Sequence, residues 1–386
     1  MKDQVQKINI LALSWRDIKN PKMGGAEIHT HQMLSGIDHN RYRIVHFSPM
    51  FKEGSRRELI DGVLYLRKGN SLTVIIYAWL YYLKHREKIN FVIDQCNVHR
   101  FFTPFWVNKK KRIFYIHQLC RELWNIMLKF PLNIIGKIIE TPLLKIYKND
   151  LTITVSESTK KDLIAVGFDP DKIHLIHNGL NFQPEPFEHL PLKGETLNFI
   201  YIGRYAAYKG IDCAIEALGM VKRRYPDAKL WILGKKDDDY VANVLSKIAK
   251  KYNLSIGDSK ECDVRLFGFV SDSEKYKILS TSHALVFPSI REGWGIVVIE
   301  AACMGTPSIV FNSPGCVDAV DYGHAGYLCA ENTSEELARQ MIRSIQNVEE
   351  YNQLRKAAYD FSSKFNWTDS ALKFEHILDS QTSMIL

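Results

Sequence analysis

Three clusters combine residue types and spacings suited to an anionic, hydroxyl-rich ligand. The first is Met23-Gly24-Gly25-Ala26-Glu27, just past the first strand-like run. Gly24 and Gly25 let the backbone approach a ligand closely, and the helix opening there offers unpaired N–H groups to an anion. The spacing is not G-x-G-x-x-G, so the dinucleotide-binding fingerprint does not apply. The second is Tyr201-Ile202-Gly203-Arg204, followed by Tyr208-Lys209-Gly210. A strand ends at Gly203, Arg204 stands beside the turn, and Lys209 lies where the next helix starts. Two cations near a helix N-terminus suit a diphosphate, Arg through its planar fork and Lys as a point charge. The third runs from Pro288 through Arg291-Glu292-Gly293-Trp294-Gly295-Ile296 to Glu300-Ala301. Glu292 is expected in a glycine-rich loop after a strand and Glu300 inside the next helix. A carboxylate there accepts hydrogen bonds from vicinal hydroxyls such as those of a ribose. The plainer reading makes both glutamates solvated, but Glu300 sits in an apolar stretch, where an unpaired charge is costly to bury.

These clusters need elements to hold them. Short β-branched or aromatic runs alternate with helical stretches along the whole chain. In the first half, strands are expected at residues 8–13, 43–47, 63–66, 91–95, 112–117, 151–155 and 172–177, and helices at 26–37, 73–84 and 160–166. Residues 181–196 then carry Pro184, Pro186 and Pro191 without periodicity and read as a linker. The pattern restarts with strands at 197–203, 229–234, 264–269, 284–288, 308–311 and 326–329. Helices are expected at 211–225, 240–252, 274–280, 295–304 and 334–347, with a last one near 369–378. Apolar strands separated by helices predict parallel sheets covered on both faces. The expected architecture is α/β: a first Rossmann-like domain at 1–180, the linker, and a second at 197–365, with a deep cleft between them. The helix within 366–386 is expected to pack back onto the first domain.

The chain has 386 residues, enough for two such cores. Its net charge of +8 is uneven: residues 1–180 carry a balance of +12 and the remainder −4. That asymmetry points to an acidic partner on the first half. Seven cysteines without a C-x-x-C pair argue for reduced thiols rather than a disulfide framework or a zinc site. From the polar start of the chain no signal peptide is expected. The apolar run 72–83 is too short to span a bilayer and reads as a buried helix. A cytoplasmic protein is expected, peripheral on the inner face of the plasma membrane if the basic half binds lipid.

Taken in order, the clusters resemble family four of the retaining glycosyltransferases, which have the GT-B fold. The matching pieces are Gly24-Gly25-Ala26-Glu27, His117 at a strand end, Val155-Ser156-Glu157, Asn178-Gly179, Gly203-Arg204 with Lys209-Gly210, and the Glu292/Glu300 pair. The resemblance implies a nucleoside-diphosphate sugar as donor, UDP-sugar preferred to GDP-sugar, and a hydroxyl of a glycan, lipid-linked glycan or other cell-envelope acceptor. Gly24 and Gly25 would approach the donor diphosphate, and Arg204 and Lys209, beside Gly203, would neutralise it. Glu300 would bind the ribose. Glu292 and the backbone N–H groups of Gly293, Trp294, Gly295 and Ile296 would hold the transferred sugar and the phosphate side. His117 would contact sugar hydroxyls near the reacting carbon. His117, Glu292, Arg204 and Lys209 are thus the expected catalytic set. No Asp-x-Asp arrangement stands ready to hold a metal against a diphosphate, so no cofactor and no metal are expected. Family members usually carry a Glu after the Pro314-Gly315 turn, where this chain has Asp318, one methylene shorter.

Trp15, Arg16 and Asp17 follow the first strand and are placed to meet the acceptor or to support the glycine loop. Beyond the basic run 108–112, the stretch 119–148 mixes Leu, Ile, Trp124 and Phe130 with Arg121, Lys129, Lys137, Lys145 and Lys148, and has only Glu122 and Glu140 as acids. It is a candidate surface for an anionic membrane, the plainer reading being a helix pair packed on the sheet with its charged face solvated. Two other functions fit parts of the sequence. A non-hydrolysing nucleotide-sugar epimerase shares the architecture but needs acid and base residues that the sequence does not display. A nucleic-acid binder would use the basic half but leaves Glu292, Glu300 and the glycine loops unexplained, and no nucleic-acid motif is present.

Overall fold

The computed structural model describes residues 7–180, 182, 184–191, 193 and 197–385. The chain forms two compact units. Unit 1 comprises Met1–Trp124, Leu128–Gly179 and Asn366–Leu386. Unit 2 comprises Leu180–Phe365 with Asn125–Met127. Of the expected linker 181–196, residues 181, 183, 192 and 194–196 lie outside the described residues.

The sheet of unit 1 contains β1 (Ile8–Leu13), β2 (Tyr42–Ser48), β3 (Arg57–Ile60), β4 (Val63–Arg67), β5 (Phe91–Cys96), β6 (Arg112–Ile116), β7 (Leu151–Thr154) and β8 (Ile173–Leu175), in the spatial order 3-4-2-1-5-6-7-8. All neighbours are parallel except β3, which pairs antiparallel with β4. The edge strand β3 is absent from the sequence expectation because Arg57 and Glu58 break its apolar run. Its polarity is what an edge requires. The order reverses direction between β1 and β5, the topological switch point of this sheet. The last helix, Trp367–Ile385, packs on helix Gly25–Ser35. Arg41 ties its far end, reaching Glu375 at 2.7 Å and Asp379 at 2.6 Å.

Unit 2 is built on β9 (Asn198–Ile202), β10 (Lys229–Leu233), β11 (Ile256–Gly257), β12 (Val264–Gly268), β13 (Ala284–Phe287), β14 (Ser308–Val310) and β15 (Tyr327–Leu328), all parallel, in the order 11-12-10-9-13-14-15. The central strands β9 and β13 are buried throughout, as continuous apolar strands covered on both faces must be. Helix Val348–Ser362 is also absent from the expectation. Its inward face includes Arg355, which donates to the Gly305 carbonyl at 2.9 Å.

Two elements of unit 1 differ from their sequence reading. Helix Val74–His85 buries only Val74, Ala78 and Tyr82. Leu72, Ile76, Trp79, Leu80 and Leu83 face outward, so it is not the buried helix its uninterrupted apolar run suggested. The basic stretch 119–148 folds as Leu123–Met127 and Leu132–Lys145. The second helix buries only Gly136, Glu140 and Leu144 and leaves Leu132, Ile134, Ile135, Ile138 and Ile139 exposed. The outward face of that helix is therefore apolar rather than charged. Among the described residues no helix is long and apolar enough to cross a membrane.

Candidate active site

In unit 2 the functional candidates gather where β9 and β13 end. Gly203 closes β9 and Arg204, exposed, follows it. Gly210 caps helix Ile211–Val221 at φ +71°, and a Cβ there would lie 2.2 Å from the Pro288 carbonyl oxygen. Only glycine lets these two loops approach so closely. A second such approach joins the loops after β13 and β14. Gly315, at φ +79°, would place a Cβ 2.2 Å from the Glu292 carbonyl oxygen, and the Glu292 N–H donates to Pro314 at 3.0 Å. Glu292 is thereby fixed, and its carboxylate meets Lys209 Nζ at 2.5 Å. Burial works against the Lys209 ammonium, but the Glu292 carboxylate outweighs it and holds the lysine above its usual range.

Helix Ile296–Cys303 starts at Gly295, φ +89°, so the amides of Gly293, Gly295 and Ile296 lie at its opening turn. Trp294 is buried with its ring edge-on to Phe365, 5.0 Å between centroids, which leaves its backbone rather than its indole for a ligand. Glu300 is buried on this helix. Lys275 Nζ at 2.8 Å and Tyr276 OH at 3.3 Å both donate to its Oε1, and neither takes Oε2. Burial raises the Glu300 carboxyl above its usual range, with Lys275 opposing. Lys275 and Tyr276 were not among the expected site residues. They reach Glu300 from another helix, Asp272–Thr281, and nothing local in the chain marks that pairing. Asp318 accepts from the Gly315 N–H at 3.1 Å and so caps its own short helix. Beside this edge, at the ends of β10 and β12, lies a polar cavity of about 440 Å³ lined by Lys236, Asp258, Arg265, Phe269 and Glu274.

In unit 1 the glycine turn lies at the opening of helix Gly25–Ser35. The Gly24 N–H donates to Glu27 Oε2 at 2.7 Å, and Arg16 Nε holds Oε1 of the same carboxylate at 3.1 Å. Arg16 also donates to the Lys22 carbonyl at 2.9 Å. A Cβ added at Gly25 would meet no protein atom within 4 Å, so the fold itself does not demand glycine there. Asp17 is enclosed. Its oxygens accept from Ser48 at 2.7 Å, Arg67 at 2.7 Å and the Lys19 amide at 2.9 Å. Of the three expected acceptor residues, Arg16 and Asp17 are thus committed to bracing the loop.

His117 follows β6 and is buried. The Gln95 amide, anchored on the Ala26 carbonyl at 3.3 Å, donates to His117 Nε2 at 3.3 Å. The ring proton therefore sits on Nδ1. Burial, with His29 nearby, drives the His117 pKa well below the usual range, so the ring is neutral at physiological pH. Glu140 accepts from the Cys120 amide at 2.6 Å and the Arg121 amide at 2.9 Å, which fixes the loop after His117. Ser156 caps helix Glu157–Val166. Among the described residues no three His, Cys, Asp or Glu side chains are placed to hold a metal ion.

Residues 182–361 match the family described as glycosyl transferases group 1, and residues 23–183 match Glycosyltransferase Family 4. An uncharacterised glycosyltransferase of Methanocaldococcus jannaschii is 27% identical over 247 residues, 59% of each chain. The matched region spans 59% and 51% of the lengths of the first two curated relatives. Among solved structures, sucrose-phosphate synthase from Thermosynechococcus elongatus superposes with a TM-score of 0.78 at 17% identity, over 98% of this chain and 100% of that one. Anabaena HepE, solved with UDP and glucose, gives 0.71 at 16% identity, over 97% and 100%. At these identities the structures speak for the fold alone, which is GT-B. The two family matches meet near residue 182 and together cover residues 23–361, which take in the loops that carry Gly24, His117, Lys209, Glu292 and Glu300, and the chain belongs to the family-four glycosyltransferases.

Proposed function

We propose that the chain is a retaining glycosyltransferase that moves a sugar from a nucleoside-diphosphate donor, UDP-sugar before GDP-sugar, to a hydroxyl of a glycan or lipid-linked glycan. The observation that carries this reading is Glu300: a buried carboxylate with Oε1 held by Lys275 and Tyr276 and Oε2 left for the ribose hydroxyls. The neighbouring polar cavity suits a nucleobase. UDP as the base is supported by the Anabaena structure solved with that nucleotide. Arg204, Lys209 and the turn at Gly203 serve the diphosphate. Glu292 and the amides from Gly293 to Ile296 serve the sugar and the adjoining phosphate. In the Gly24-Gly25 turn the Gly24 N–H is held by Glu27, and the Gly25 N–H is the one that could serve an anion.

In this reading the bond between the anomeric carbon and the diphosphate oxygen breaks as the acceptor oxygen bonds to the same face. The acceptor proton passes to a donor phosphate oxygen. Negative charge grows on the leaving diphosphate, and Lys209 and Arg204 stabilise it in place, the kind of preorganised electrostatics that dominates many enzymes. His117, neutral, donates from Nδ1 to a sugar hydroxyl and carries no proton for the reaction. Thermal shift against UDP, GDP and ADP tests the donor reading. A rise in melting temperature with UDP above the other two is expected, and no rise with any nucleotide overturns it.

We further propose that unit 1 lies on an anionic membrane through the 108–148 region. The exposed isoleucines of Leu132–Lys145, with Lys129, Lys137, Lys145 and Lys148 around them, support this. Each cation near an anionic surface contributes about 1 kcal/mol. Helix Val74–His85 packs on the same sheet face, since Val92 of its core and Cys96 of the neighbouring core share one side of β5. Co-sedimentation with anionic vesicles is expected, and equal behaviour with neutral vesicles would count against it.

A further inference from the structure

The switch point of the first sheet is flanked by the loops that leave β1 and β5. In doubly wound sheets ligands enter the crevice at this place, at the carboxyl ends of the strands. The loop after β5 is built under constraint. Val98 at φ 69° and Phe102 at φ 55° both take the left-handed conformation, which a β-branched or bulky residue adopts only when its surroundings force it. Asp94 pins the turn around Phe102, accepting from the Phe101 amide at 3.0 Å, the Thr103 amide at 3.2 Å and the Thr103 hydroxyl at 2.9 Å.

This construction turns Arg100 inward, where it is 6% exposed. Its Nη2 reaches the Val98 carbonyl at 3.3 Å, its Nη1 has no partner among the described residues, and it forms no ion pair with a described carboxylate. A buried guanidinium without an anion is a costly arrangement. Two further orphaned atoms accompany it. The His99 ring stacks on Trp15 at 5.9 Å, so the loops after β5 and β1 are in contact. Trp15 Nε1 and His99 Nδ1 are buried and have no partner among the described residues. His99 Nε2 donates to the Ser71 carbonyl at 2.5 Å, which makes Nδ1 an acceptor. Two donors and one acceptor on adjoining loops thus stand unsatisfied among the described residues, at the edge of the sheet where its order reverses.

We propose that Arg100, Trp15 and His99 form an acceptor subsite for a sugar bearing an oxyanion, a phosphate or a carboxylate. Arg100 takes the oxyanion through its fork, Trp15 donates to a neighbouring oxygen, and His99 accepts from a hydroxyl. Because it names the acceptor, this inference rests on the glycosyltransferase reading. The test titrates the full chain with methyl glucoside, glucose 6-phosphate and glucuronic acid, with UDP as a parallel arm. One of the charged sugars should bind at least tenfold more tightly than the neutral one, and which of them does so names the acceptor class. Arg100→Met should abolish that preference, keep UDP binding, and melt at or above the wild-type temperature, since it removes an unpaired buried charge. Trp15→Phe keeps the ring, loses the N–H, and should weaken the preferred sugar about three- to tenfold. Equal binding of all three sugars, a retained preference in Arg100→Met, a lowered melting temperature of that variant, or unchanged affinity in Trp15→Phe would each overturn the subsite. Absence of UDP binding by the wild type would instead strike the donor reading and leave the sugar result to stand by itself.

Discussion

Replacing Glu300 with Gln tests the donor site most directly. The shape is kept and the charge is lost. Lys275 loses its carboxylate at 2.8 Å but retains Asp272 at 3.0 Å, so unit 2 should stay folded at a cost of about 1–3 kcal/mol. A hydrogen bond from a ribose hydroxyl to a charged acceptor contributes about 1.5–3 kcal/mol, or about 10- to 150-fold in Kd. At a UDP concentration of about 100 times its Kd the wild type gains about 2.7 kcal/mol, whereas a variant weakened about 50-fold gains about 0.6 kcal/mol. For a unit of this size that is about 5–11 °C of stabilisation reduced to about 1–3 °C. The decisive control is 2′-deoxy-UDP. The wild type should bind it more weakly than UDP, and Glu300→Gln should discriminate much less between the two. If the variant binds UDP as tightly as the wild type, or rejects the deoxynucleotide as strongly, Glu300 does not hold the ribose and the reasoning fails.

Two further outcomes follow from the same geometry. His29 and His46 in unit 1 and His283 in unit 2 are each lowered to about 4, chiefly by burial, so all three are neutral in the fold while the unfolded chain takes up protons below about 6.5. Stability should therefore fall as pH drops from 6.5 toward 4, by about 2 kcal/mol per histidine at pH 5; melting curves at pH 7 and 5 should show unit 1 losing more than unit 2, and a flat profile would contradict the burial argument. On the exposed helix, Ile135→Asp with Ile138→Asp should abolish sedimentation with anionic vesicles and leave the melting temperature unchanged, because both side chains stand in solvent; retained vesicle binding would remove that helix from the proposed membrane contact.

Much of the fold was legible because parallel strands buried on both faces are short continuous apolar runs, as in β9 and β13. What escaped the reading breaks that rule. β3 is an edge strand carrying Arg57 and Glu58, β11 is two residues long, and helix Val348–Ser362 turns Arg355 inward. Helix Val74–His85 misleads in the opposite sense. Its apolar run looks buried on every side, yet only every fourth residue, Val74, Ala78 and Tyr82, is enclosed. At the site, glycines and cations at strand ends were visible because their spacing is local. The pairings were not. Arg16 beside a strand end looks ligand-facing until Glu27, eleven positions on, claims it. Lys275 stands twenty-five positions before Glu300.

Those pairings assign different work to the two glutamates of unit 2. Glu300 is part of a helix, and its ion pair with Lys275 uses Oε1 only, so a ribose can bind without breaking anything. Glu292 lies in a loop locked by Gly315, and its carboxylate is joined to Lys209. Under the proposed function, a diphosphate arriving at Lys209 would compete with that carboxylate for the same ammonium. Such binding would free the Glu292 oxygens for the sugar hydroxyls and would give Lys209 a doubly charged partner in exchange. The Glu292 carboxylate thus keeps Lys209 charged in a largely buried position, and the proposed function would have both members turn to the donor. Glu292→Gln separates the two functions. Lys209 stays available to the nucleotide, so UDP affinity should hold or rise, while the contribution of the sugar to UDP-sugar binding should fall by about tenfold, the worth of one hydrogen bond to a charged group.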